Sequence, residues 1–217
     1  MNVNELFEYL AVGELSTLSV ADKDLGTLKF EEHTRFIRYL NDALVLIFTK
    51  MSHNKSYVNF SLVADQNTYA LQPSLVTNLL KVISVQNLDY EFPEDRFYAI
   101  NDFEATHSVR TLQYDTLFFP VVVAGQNISV EYQASHPVIP TLNYGDITID
   151  IHPILESAVL SKIAASAFMA LGGEDAMSKA ATYMNDFNAT LQLAESEDMA
   201  EVTSIESANR FKNFGWQ

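Results

Sequence analysis

The spacing of apolar residues changes twice along the chain, and that limits the fold more than any other feature. Phe36, Ile37, Leu40, Leu44, Ile47, Phe48 and Met51 recur at steps of three and four, the period of one helix face. The period then drops to two. Val58, Phe60 and Leu62 alternate with Asn59 and Ser61, and "LLKVISVQN" and "ISVEYQA" carry the same strand signature. From Ile154 the helical period returns in Leu155, Val159, Ile163, Ala167 and Leu171, then again in Ala180, Tyr183, Met184, Phe187 and Leu191. An order of helices, strands and helices predicts an α+β protein: a small helical bundle with an antiparallel β insertion and a C-terminal helical hairpin plus extended tail.

Boundary signals place the helices at about 4–12, 30–51, 153–171 and 174–193 and the β section at about 56–151. Asn4 can cap the first helix and Gly13 can end it. Pro153 suits a first helical position, where its missing N–H costs nothing, and Gly172-Gly173 breaks the hairpin. "SVADKDLGTLK", residues 19–29, forms a polar connection with turn chemistry at Asp24 and Gly26. "RTLQYDTLFFPVVV" and "ISVEYQA" are expected to pair around a turn at Ala124–Asn127, with residues 87–110 a loop or short helical piece. Residues 1–196 read as one domain. Residues 197–217 lose periodicity and read as a tail.

A chain of 217 residues can bury a core without disulfides or metal. It has no cysteine, which excludes disulfides, thiolate metal sites and a cysteine nucleophile. Acidic residues number 28 and basic ones 13, for a formal charge of −15, so nonspecific grip on nucleic acid is excluded. Apolar runs such as Phe118–Ala124 fall short of a membrane span, and the expectation is a soluble protein made in the cytosol.

The search for chemistry centres on Asp146, Thr148, Asp150 and His152, which share one face of a strand. Two carboxylates and an imidazole could hold a divalent cation, and a metal-assisted hydrolase would use Asp146, Asp150 and His152. The alternation with Ile147, Ile149 and Ile151 instead predicts a water-facing side, with His152 next to a helix cap ahead of Pro153. No catalytic residue, metal or cofactor is expected. His33, His53, His107 and His136 form no ligand spacing, and "ALGGED" follows a helix, so it reads as a break rather than a phosphate cradle. A β-rich ligand-binding module would present Tyr90, Phe92 and Phe97. The ending "RFKNFGWQ" sets Phe211, Phe214 and Trp216 among Arg210 and Lys212, residue types that either fold back on a core or anchor in a partner.

Two stretches carry a family likeness: "FIRYLNDALVLIFTKMSHNKSYVNFSLVADQNTYAL", a long helix running into an extended pair, and "ISVEYQASHPVIP" with "DIHPILESAVLSKIAASAFMAL", a strand leading into the hairpin. In layout the chain resembles the head-to-tail adaptors of tailed bacteriophages, most closely the tail tubular protein A type of short-tailed phages. The resemblance implies a non-enzymatic virion protein, assembled in host cytoplasm as a twelve-fold ring beneath the portal. The ring would extend the DNA channel without sequence-specific binding, touch no membrane, and dock a tail nozzle or tail tube protein. The C-terminal segment, with Arg210, Phe211, Lys212, Phe214 and Trp216, would reach the portal.

Overall fold

The computed structural model describes residues 1–214 apart from 52–54, 73–75, 77, 93–95 and 106, with side chains described through Ser196. Helix α1 (Val3–Val12) starts earlier than expected because Asn2, not Asn4, caps it. Asn2 Oδ1 accepts from Glu5 N at 2.9 Å while Glu5 Oε2 accepts from Asn2 N at 2.9 Å, so two unpaired donors are satisfied reciprocally. The polar connection closes as a two-stranded ribbon, β1 (Ala21–Asp22) with β2 (Thr27–Leu28), and Asp22 Oδ1 accepts from Asp24 N and Leu25 N in its turn. A 3-10 turn at Phe30–Glu32 leads into α2 (His33–Lys50).

Seven strands follow: β3 (Lys55–Ser61), β4 (Thr68–Ala70), β5 (Leu79–Asn87), β6 (Ala99–Ile100), β7 (Ser108–Gln113), β8 (Thr116–Phe118) and β9 (Asn127–Ala134). They form two sheets, ordered β3-β9-β5 and β4-β8-β7-β6. The first is antiparallel, and in the second β6 pairs with β7 in parallel. The expected pairing around Ala124–Asn127 does not form. β8 turns back on β7, whereas β9 is the central strand between β3 and β5, with Val58 opposite Val130 and Val85 opposite the same residue. The physical reason is burial: Ile128, Val130, Tyr132 and Ala134 fill one face, and Ser129 and Gln133 are covered on the other, which an edge hairpin could not achieve. Pro73 and Ser74, residue types that suit the opening of a turn or short helical segment, lie outside the described residues.

Two further helices close the chain: α3 (Glu156–Leu171), after a 3-10 turn at Pro153–Leu155, and α4 (Glu174–Phe214). Gly172 and Gly173 lie at φ +71° and +85°, the left-handed region where a side chain would be strained, and they let the chain reverse. Phe168 stacks on Tyr183 across the hairpin at 5.7 Å. The backbone of α4 stays helical through Phe214, so the extended tail expected over 197–217 is corrected to helix as far as that residue. Pro153–Leu171 is long and apolar enough to cross a membrane by composition, a length that contiguous apolar runs hid because Ser161 and Lys162 interrupt them. Ala158, Val159, Ile163, Ala164, Ala165, Ala167 and Phe168 are buried within the protein, as in the core helix of a globular fold.

The chain divides into two compact units, Met1–Ile47 with Val138–Gln217, and Phe48–Pro137. In the helical unit Phe36, Ile37, Leu40, Leu44 and Ile47 of α2 are buried, as are Ala180, Phe187, Leu191 and Ala194 of α4. The Asn41 carboxamide holds Ile139, donating to its carbonyl at 3.0 Å and accepting from its N–H at 2.9 Å, across 98 residues of sequence. The β unit has its own core around Phe119, with Tyr69 and Tyr98 edge-on to it at 5.6 and 5.5 Å. The buried Gln133 amide donates to the carbonyls of Phe48 and Met51, satisfying a polar group that would otherwise be costly.

Candidate functional site

The joint that the sequence singles out belongs to the helical unit, and this corrects the expected end of the β section. Residues 145–149 run antiparallel beside Met1–Asn4. Val3 N donates to Ile147 O at 3.2 Å, Asn4 N to Gly145 O at 3.2 Å, and Ile149 N to Met1 O at 3.0 Å. Gly145 is needed for that approach, since an added Cβ would sit 2.6 Å from Asn4 Nδ2. Alternation reports a buried side but not the identity of the pairing strand, so the run Asp146–His152 looked like one more member of the sheet.

Ile149 is buried, Ile147 and Ile151 are half-buried, and Asp146, Thr148, Asp150 and His152 are all exposed. His152 Nδ1 accepts from Ile154 N at 3.4 Å, so this ring caps the turn that Pro153 opens. Among the described residues no three His, Asp or Glu side chains converge as metal ligands. Titration calorimetry with Mg²⁺, Mn²⁺ or Zn²⁺ is expected to detect no micromolar site. A site of that affinity that disappears in Asp150→Ala would overturn the scaffold reading.

Beside the joint lies a cleft of about 560 Å³ lined by Phe30, His33, Leu142, Tyr144 and Gly145 among others. Two of its polar side chains, His33 and Tyr144, are bonded to each other. His33 Nε2 bonds to Leu28 O at 2.9 Å, and Nδ1 bonds to the Tyr144 hydroxyl. A carbonyl can only accept, so Nε2 carries the proton in the neutral ring and Nδ1 accepts from Tyr144. Burial raises the Tyr144 hydroxyl above its usual pKa, which keeps it the donor. Phe7 packs on His33 at 4.9 Å. An imidazole held at both ring nitrogens in this way ties α2 to Tyr144 and to the strand β2.

The other candidates separate. Ser135 and His136 are buried neighbours in the β unit, with His136 Nδ1 bonded to Pro137 O at 2.7 Å. His107 meets Tyr98 edge-on. His53 lies outside the described residues. Tyr90 and Phe97 both meet the Arg96 guanidinium, at 5.7 and 5.1 Å, while Phe92 is exposed and takes no part in that contact. "ALGGED" is the hairpin break. The Arg210, Phe211, Lys212 and Phe214 side chains and all of Trp216 lie outside the described residues. Sequence reading missed one cluster entirely, Phe103 with Arg110 and Phe118, because residues 87–110 carry no period.

The protein thus has two compact units, and its described residues hold no group of three or more His, Asp or Glu side chains placed to bind a metal. A family model described as SU10 adaptor protein matches residues 11–209. The chain belongs to the SU10 adaptor protein family. It is a bacteriophage head-to-tail adaptor, a structural component of the virion. No curated protein matches it. The match spans both compact units of the adaptor and ends just before Arg210, so the five residues singled out at the C-terminus lie beyond it.

Proposed function

We propose that this adaptor, of the tail tubular protein A kind in its assembly, forms a ring of twelve copies between portal and tail. The ring extends the DNA channel and docks the tail nozzle or tail tube protein. The carrying observation is the family match over residues 11–209, which embraces nearly every described element. Charge supports the conduit role: at −15 per chain, a lumen of such subunits repels phosphate and lets DNA slide without sequence-specific grip. The β unit faces the tail, and Arg210, Phe211, Lys212, Phe214 and Trp216 anchor the C-terminal end of α4 in the portal. No enzymatic step, cofactor or membrane enters this role, and assembly takes place in host cytoplasm.

The test is electron microscopy of purified portal mixed with the full-length chain. The expected result is a closed ring coaxial with the portal, its β unit pointing away from the capsid side. A compact monomer that never joins portal, at the salt and concentration where virions assemble, would overturn the reading.

A further inference from the structure

On the outer face of the four-stranded sheet stands Arg110, a cation that forms no ion pair among the described residues. In β7 and β8, Val109 and Leu117 point into the core, so their neighbours Arg110 and Phe118, which are directly paired across the ladder, point outward. The Arg110 guanidinium lies over the Phe103 ring at 4.4 Å and within 6.0 Å of the Phe118 ring. Its Nε is buried and has no hydrogen-bond partner, and Arg110 forms no ion pair among the described residues. Leaving a buried donor unpaired is costly, and natural folds do so rarely.

Phe103 is 71% exposed, yet it is held in place. Asp102 Oδ1 accepts from Glu104 N at 2.9 Å, closing a turn around Phe103. Asn101, at φ +57°, ties that turn to β7: its carboxamide donates to Thr111 Oγ1 at 2.8 Å and accepts from Thr111 N at 2.9 Å. Leu112 and Tyr114, 58% and 69% exposed, continue the surface. Phe103, Phe118, Tyr114, Leu112 and an arginine whose Nε is buried, carried by β7, β8 and the turns beside them, make the composition of an interface hot spot.

We propose that this face, centred on Arg110 and Phe103, is the contact surface for a neighbouring copy of the same chain. The choice of a second copy rests on the ring proposed above. Charge complementarity carries it: the unpaired cation calls for an acidic surface, and each chain offers a surplus of fifteen acidic charges. A head-to-tail contact, the type that generates the ring proposed above, would set Arg110 of one copy against a carboxylate-bearing surface of the next. Arg110 then reaches a carboxylate of the next copy, while Phe103, Leu112 and Tyr114 lose water.

Leu112→Cys provides the test, since the full-length chain has no other cysteine. A benzophenone on that thiol is photolysed in assemblies on purified portal and in concentrated protein alone. Cross-links are expected to Asp- and Glu-bearing peptides of this same chain. Arg110→Glu and the milder Phe103→Ala are expected to weaken multi-copy loading at least tenfold, with unchanged circular dichroism and undiminished attachment of single copies. Cross-links only to portal, to tail protein or to nothing would overturn the surface while leaving the ring intact, as would normal loading of both variants. A wild-type chain that neither loads in multiple copies nor self-associates would remove the ring and this surface together.

Discussion

Deleting residues 207–217 is expected to abolish attachment to portal while leaving the fold and melting temperature nearly unchanged. In α4 the last side chain described as buried is that of Ala194, and the cut falls roughly three and a half helical turns after it. Helix that extends past its packing partners adds little stability, because isolated helical turns are marginal in water. The deleted segment holds Phe211, Phe214 and Trp216, and burying each aromatic is worth roughly 1.5–3 kcal/mol. Arg210 and Lys212 lend directed polar contacts. In a multi-copy ring the loss repeats at every subunit, so avidity turns a moderate local deficit into complete detachment. Calorimetric melting and a portal pull-down check both halves. A melt lowered by many degrees would assign the aromatics to the protein's own core. Intact attachment would move the docking surface elsewhere on the adaptor.

Leu44→Ala is expected to cost about 2–5 kcal/mol, the range for removing a buried leucine and leaving a cavity. Leu44 is 2% exposed and sits on a stripe of α2 in which Phe36, Ile37, Leu40 and Ala43 are fully buried. At about 2–4 °C per kcal/mol for a protein of this size, the melting temperature of the variant falls visibly. Leu46→Ala, on the solvent side of the same helix, should cost under about 1 kcal/mol. Denaturant unfolding of the two variants separates them, and a loss below half a kcal/mol in Leu44→Ala would show that the stripe is not core.

The helices were legible wherever one face is apolar. α2 and the start of α4 follow their stripes, and Gly172-Gly173 marks the turn between α3 and α4. Three things were not legible, each for a physical reason. Asn2 and Asn4 are both good caps, and the choice depends on Glu5 standing three residues after Asn2, a pairing visible only once both are weighed. Strand partners could not be read because a period of two shows which side is buried and nothing about the neighbour, so β9 and the run after Gly145 were both misassigned. The length of α4 escaped because residues beyond Ala194 lose the stripe, although Ala, Glu, Met, Lys and Arg there are strong helix formers whose backbone preference favours helix unaided. Of the candidate site, the polar row was legible as a water-facing side. Phe103 and Arg110 were not, because the loop that unites them is fixed by Asn101 and Thr111 rather than by any pattern.

The clamp of Asn41 on Ile139 bears on the order in which the chain assembles. Made directly from the unfolded chain, those two hydrogen bonds close a loop of 98 residues. The β unit shortens that search, because Gln133 gathers the carbonyls of Phe48 and Met51 and so brings its own two ends together. Once it has formed, only the remainder of α2 and Val138 separate the clamped residues, and each halving of the loop saves about 0.6 kcal/mol of closure entropy. The inserted sheets therefore act as an internal staple during folding. Hydrogen-exchange labelling during refolding is expected to protect the β unit before the helical unit, whose sequence is split across the insertion.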